Sequence, residues 1–236
     1  MKKQIETSIK GPNEDLNINR RPLNVRQAGF ASTCARLLND KGITPNQISV
    51  ASAGFALLAA VTLAMINVVA SGQWMLAILA AILIQCRLLC NLFDGMVAVE
   101  GGKGTPAGEL FNDIPDRLAD PLILIAVGYA VTDFAWGVSL GWLAGLLAVM
   151  TAYVRTLAAS IGAPVNFQGP MAKQHRMAIV TLACVATVFE GSVWPVGSVL
   201  YISLIVIVLG CLITCARRAI SAYQYLENPS DSAAGE

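Results

Sequence analysis

Apolar runs of about 20 residues, the length that carries a helix across the hydrocarbon core of a bilayer, recur six times along this chain. They cover roughly Ser49 to Ala70, Gln73 to Phe93, Leu110 to Val131, Trp136 to Ile161, Met171 to Phe189 and Val193 to Thr214. The spacing predicts an all-α integral membrane protein with six transmembrane helices and both termini on one side. The composition agrees: 56% of residues are hydrophobic and 13% charged, with a mean hydropathy of +0.62, outside the soluble globular range. A net charge of +1 supplies no global basic field, so no nucleic-acid partner is expected.

Two of the runs are irregular. Asn112 to Asp120 and Lys173 to Arg176 make the first halves of the third and fifth runs polar. Those halves must face protein, ligand or water, because lipid offers them no partner.

Charge distribution sets the orientation. Every Lys and Arg falls in the N-terminal tail, the second-to-third or fourth-to-fifth connection, the C-terminal tail, or a helix end facing one of these. The opposite connections, around Ser71 to Gly72, Thr132 to Ala135 and Glu190 to Ser192, contain none, and Trp74, Trp136, Trp142 and Trp194 gather toward that side. By the positive-inside rule and the aromatic belt, both tails are cytoplasmic, as in a multi-pass protein of a bacterial inner (plasma) membrane. The first 48 residues hold no apolar core of signal-peptide type, so no cleaved secretion signal is expected.

Four parts follow: a disordered polar tail (1–22), an N-terminal amphipathic interfacial helix (23–42), a six-helix membrane domain (43–220) and a C-terminal tail (221–236). In the second part Phe30, Ala31, Cys34, Leu37 and Leu38 recur at helical spacing, with Arg26 and Arg36 between them and Gly42 as a stop. Such a helix lies on the membrane surface or packs on the protein's own cytoplasmic face. Thr44 and Pro45 then offer an N-cap and a first-turn residue for the first span. The six cysteines lie mostly in apolar runs without a CxxC pair and read as small packing residues.

Between the second and third spans stands NLFDGMVAVEGGKGTPAGELFNDIPD, from Asn91 to Asp116. A carboxylate near the bilayer centre costs about 2.5 to 3.5 kcal/mol on insertion scales, so Asp94, Asp113 and Asp116 need partners or a task. Asn91 and Asp94 are at i,i+3 on one helix, with Ala98 continuing that face; Asn112, Asp116 and Asp120 form an i,i+4,i+8 row on the next. Two helices thus offer hard oxygen donors, the type that takes magnesium, manganese or calcium. Gly95 and Gly108 leave room for a large substrate beside them. Arg155 near the cytoplasmic end of the fourth span, Lys173 and Arg176 opening the fifth, and Lys103 in the loop are candidate phosphate or acceptor ligands. Arg87, one turn before Asn91, is a candidate partner for Asn91 or Asp94.

Asp94-Gly95, Ala98, Gly108, position 112 and Asp116 follow the spacing of the CDP-alcohol phosphotransferase motif, D-x2-D-G-x2-A-R-x8-G-x3-D-x3-D. The chain resembles that family also in ITPNQIS before the first span, the six-span layout, an Arg in the fourth span and a basic start to the fifth. The motif is degenerate: Asn91, Asn112 and Val99 stand where the family has Asp, Asp and Arg. The two Asn residues remove two negative charges, so one ion in place of the family's two is an open alternative. Asp113, Asp120, Glu100 and Glu109 are candidate compensators, and Arg87 a candidate replacement for the missing Arg.

The resemblance implies transfer of a phosphatidyl group from CDP-diacylglycerol to an alcohol acceptor with release of CMP, dependent on Mg2+ or Mn2+. It implies Asn91, Asp94, Asn112 and Asp116 at the metal, Asp116 also as catalytic base, and Gly95, Ala98 and Gly108 along the nucleotide. A homodimer in membrane lipid is the family's frequent state. Other readings are transfer from a soluble CDP-alcohol to a lipid acceptor, a catalytically weakened lipid-binding protein, and an ion or solute carrier. A carrier would place polar residues nearer the midplane and on both sides.

Overall fold

A computed structural model describes residues 29–100 and 108–227, except the side chains of Phe30, Glu100, Glu109 and Asn112. The tail expected over 1–22 and the start of the segment expected over 23–42 lie outside the described residues, as does Lys103. The described chain is all helical: α1 Gly29–Asp40, α2 Pro45–Ala64, α3 Gln73–Glu100, α4 Gly108–Ala130, α5 Gly137–Ser160, α6 Lys173–Ala186 and α7 Ser198–Glu227. A single 3-10 turn, Thr187–Phe189, extends α6.

Local chemistry sets the start of α2. The Thr44 side chain accepts from the Gln47 N–H at 3.3 Å, and Gln47 Oε1 accepts from the Thr44 N–H at 3.0 Å. With Pro45 in the first turn, this reciprocal cap satisfies donors that a helix start otherwise leaves open. Helix α1 buries Ala31 and Ala35 against Ile48 of α2 and Met96 and Val97 of α3, so it packs on the protein, while Leu37 on its other side is exposed.

The main bundle is inside out relative to a soluble protein. Its buried positions are rich in small residues, among them Ala56, Ala59 and Ala60 on α2 and Ala77, Ala80 and Ala81 on α3, whereas Leu57, Leu58, Val61, Leu79, Ile82, Leu146 and Leu209 are exposed. Helices in lipid gain from close packing of small residues and lose nothing by turning large apolar ones outward. Packing runs from α3 to α2, α4, α5, α7 and α6 and back to α3, closing a ring of six helices.

Among the described residues, four helices are long and apolar enough to cross a membrane: α2, α3, α5 and α7. The expected third and fifth spans, α4 and α6, are not in that set. Helix α4 has 23 residues but carries Asp113, Asp116, Arg117 and Asp120, and α6 has 14 residues, about 21 Å at 1.5 Å per residue. Helix α7 continues to Glu227, so part of the segment expected as a tail is helical.

Helices α4 and α5 approach backbone to backbone at a pair of glycines. A Cβ built on Gly141 would stand 2.8 Å from Gly128 Cα, and one on Gly128 would stand 2.9 Å from Gly141 Cα. Gly141→Ala is therefore expected to force the helices apart and lower stability by about 1–3 kcal/mol, read as a lower unfolding temperature in detergent.

Candidate active site

Helix register brings side chains from five helices to one end of the bundle. On α3, Arg87, Asn91 and Asp94 share a face, one turn apart. On α4, Asp116 and Asp120 are likewise one turn apart, and Pro115 and Pro121 lie within the same turns. Helix α6 contributes Lys173 and Arg176 from its first turn, α5 contributes Thr151, and α2 contributes Ser49 and Ser52.

Charge pairing joins them. Arg87, 0% exposed, donates through Nη2 to Asp116 Oδ1 at 2.9 Å and to Asp120 Oδ1 at 2.7 Å. Asn91 Nδ2 donates to the same Asp116 oxygen at 2.6 Å, and Lys173 Nζ donates to Asp116 Oδ2. Arg176 donates to Asp120 Oδ2 at 2.8 Å, to the Met171 carbonyl at 3.0 Å and to Thr151 Oγ1 at 3.2 Å. Three cationic side chains thus clamp two adjacent carboxylates, and Asp120 is 3% exposed. In so buried a setting charges persist only when paired and hydrogen-bonded.

Asp94, 4% exposed, sits apart from this clamp. Its Oδ2 accepts from Ser49 Oγ at 2.8 Å, while Oδ1 is buried without a hydrogen-bond partner. Ser52 Oγ donates to Asn91 Oδ1 at 2.5 Å and lies 3.2 Å from the Arg87 carbonyl, tying α2 to the α3 ligand face.

The other candidates are placed by their helices. Gly95 and Ala98 lie on the last turns of α3, and Gly108 opens α4. Asn112 lies one turn before Asp116 on α4, its side chain outside the described residues. Arg155 lies 3.9 Å from Asp113 and 5.3 Å from the centre of the Phe167 ring, and Asp113 accepts from Arg117 at 2.7 Å. These groups form a more open rim than the buried clamp. Of the candidate compensators, Asp120 is in the clamp and Asp113 at the rim; Glu100 and Glu109 lie outside the described side chains. Arg87 pairs with Asp116 and Asp120, not with Asn91 or Asp94 as expected.

Sequence reasoning missed Ser49, Ser52 and Thr151. The serines stand at i,i+3 just after the Thr44 cap, and Ser49 closes the ITPNQIS stretch; those were the signals available for them. A crevice lined by Asp116, Arg117, Asp120, Pro121, Ala148, Val149 and Arg176 opens beside the clamp. A larger cavity of about 160 Å³ lies at the other end of the bundle, among the α2–α3, α4–α5 and α6–α7 connections. Glu190 in its wall accepts from the Gly197 and Val199 N–H groups at 2.8 Å, so that carboxylate caps α7.

The donor chemistry fits a hard divalent ion. Asp94 Oδ1 is a buried carboxylate oxygen with no hydrogen-bond partner, and Asn91 stands one turn before it on the same helix face. Among the described residues no three His, Cys, Asp or Glu side chains form a preformed metal cluster. The shell therefore needs amide, water or substrate oxygens, which Mg2+ ordinarily retains.

No protein-family model and no curated protein sequence matches the chain. Solved structures do. The phosphatidylinositol phosphate synthase of Mycobacterium tuberculosis with CDP-DAG bound is 20% identical over 83% of this chain and 94% of that one, with a TM-score of 0.70. The same synthase with manganese and citrate gives 20% identity, 82% and 88% coverage and a TM-score of 0.68. Its apo form gives 19%, 81% and 95%, and 0.66. At such identity the likeness is one of fold: the chain shares the helical fold of that synthase.

Proposed function

We propose that the chain transfers a phosphatidyl group from CDP-diacylglycerol to an alcohol acceptor, releasing CMP, with Mg2+ or Mn2+ as cofactor. The observation that carries this reading is the meeting of Asn91 from α3 with Asp116 from α4 and Lys173 from α6, one turn from Asp94, whose buried Oδ1 has no hydrogen-bond partner. That the structurally similar synthase holds CDP-DAG in one structure and manganese and citrate in another supports it.

In the reaction the acceptor oxygen forms a bond to the phosphorus that carries the diacylglycerol. The bond from that phosphorus to the bridging oxygen breaks, and CMP leaves with the electron pair. Asp94 would hold the ion through its unpartnered oxygen, with Asn91 one turn before it on α3 and Asn112 one turn before Asp116 on α4, and the ion would supply charge neutralisation for the diphosphate. Lys173, partly exposed at the mouth of the clamp, is placed to turn from Asp116 to a phosphate oxygen. That movement frees Asp116 Oδ2 to accept the acceptor's proton. Arg155 at the rim, with Lys103 in the adjoining loop, is the candidate contact for a charged acceptor. Arg176, with its bonds directed at Asp120, Thr151 and Met171, holds the clamp in shape.

The same reading makes α4 and α6 the third and fifth spans. Their polar first turns are sheltered by the ring, and the site lies at the cytoplasmic end, where Lys and Arg collect.

The test is a screen of CMP release by the purified protein, with CDP-diacylglycerol and soluble CDP-alcohols as donors and a panel of alcohol acceptors. Metal-dependent CMP release from CDP-diacylglycerol is expected. Release from a soluble CDP-alcohol alone would reverse the donor assignment, and metal binding without release from any donor would leave a lipid-binding protein. Lys173→Ala is expected to lower kcat/KM about 10²-fold, the scale for removing one charge-stabilising donor; unchanged kinetics would remove Lys173 from the site.

A further inference from the structure

We propose that Arg87 is a built-in counter-cation that occupies the place of a second metal ion, so that the site binds a single divalent ion, at Asp94. This rests on reading the cluster as a metal site.

The geometry is specific. Arg87 Nη2 lies where Asp116 Oδ1 and Asp120 Oδ1 converge, 2.9 and 2.7 Å away. Two carboxylate oxygens from one helix aimed at one point make a cation position, and a guanidinium nitrogen fills it. The other Asp116 oxygen is taken by Lys173 and the other Asp120 oxygen by Arg176. Neither carboxylate has an oxygen free of a cationic partner. Asp94 does: its Oδ1 is buried and unbonded. Arg87 itself is fully buried, with Nε and Nη1 unbonded. A guanidinium so placed is poorly satisfied by hydrogen bonds alone, and its position is explained by the two carboxylates it neutralises.

Charge balance agrees. Asp94, Asp116 and Asp120 are offset by Arg87, Lys173 and Arg176, three against three. A diphosphate diester brings about two negative charges, and one divalent ion balances them.

The test counts tightly bound Mn2+ per chain by electron paramagnetic resonance titration of the full-length protein in detergent, with no donor or acceptor present. The wild type is expected to bind one ion and Asp94→Asn none. Arg87→Ala is expected to bind two, because it exposes the paired Asp116 and Asp120 oxygens, and Arg87→Lys to return to one. Two ions or none in the wild type, an undiminished count in Asp94→Asn, or a count of one in folded Arg87→Ala would overturn the proposal. If Arg87→Ala does not fold, the wild-type and Asp94→Asn counts still decide. The count is independent of turnover: one ion without CMP release from any donor refutes the transferase reading and leaves this one standing.

Discussion

Asp94→Ala is expected to abolish CMP release, by about 10³-fold or more, while leaving the protein as stable as the wild type or slightly more so. Both halves follow from the same side chain. Asp94 is buried, and one of its oxygens has no hydrogen-bond partner, an arrangement that contributes little to holding helices together. Removing a buried polar group that is poorly satisfied is close to neutral, because the desolvation penalty goes with it. What disappears is the anionic oxygen to which a hard cation can bind. Activity is read as CMP release under saturating Mn2+, and stability as the unfolding temperature in the same detergent. Retained activity would take Asp94 out of the site. Lost activity with a large loss of stability would make it a structural residue.

Asp120→Ala is expected to do the opposite, destabilising the fold by about 3–5 kcal/mol, the scale for breaking a buried ion pair and leaving its partners uncompensated. Two cations lose a partner at once. Arg87 is 0% and Arg176 4% exposed, and both donate to Asp120, so the substitution strands charge on α3 and α6 together. An equilibrium unfolding curve measures the effect. Asp120→Asn, which keeps the size and loses the charge, is expected to recover only part of it. A change below about 1 kcal/mol, the range of exposed pairs, would show that the clamp does not hold the bundle.

These two carboxylates also show what the sequence could and could not reveal. The i,i+3 pair at Asn91 and Asp94 and the i,i+4,i+8 row through Asp120 were readable from spacing, because a helix places such residues on one face whatever surrounds it. The meeting of those faces was an inference from two polar interruptions in apolar runs, and the Asn91–Asp116 hydrogen bond accords with it. Partner choice was not readable. Arg87 stands one helical turn from Asn91, yet it bonds Asp116 and Asp120 across the interface. Which side of a helix turns toward which neighbour depends on packing from helices far away in sequence, here the small residues that let α2, α3 and α4 approach. Ser49 and Ser52 were missed for a related reason: a serine in an apolar helix reads as a small packing residue until the opposite carboxylate is known. Apolar runs located six helical segments, but polarity in α4 and shortness in α6 leave four that qualify as spans on their own.

The most direct measurement is the position of Mn2+ in crystals of the protein grown with Mn2+ and CDP-diacylglycerol, read from the anomalous scattering of manganese. A single ion about 2.1 Å from an Asp94 oxygen, with the diphosphate against it and Arg87 still between Asp116 and Asp120, is the expected result. Nucleotide and ion seated at the opposite end of the bundle, beside Asp133 and Glu190, would contradict it.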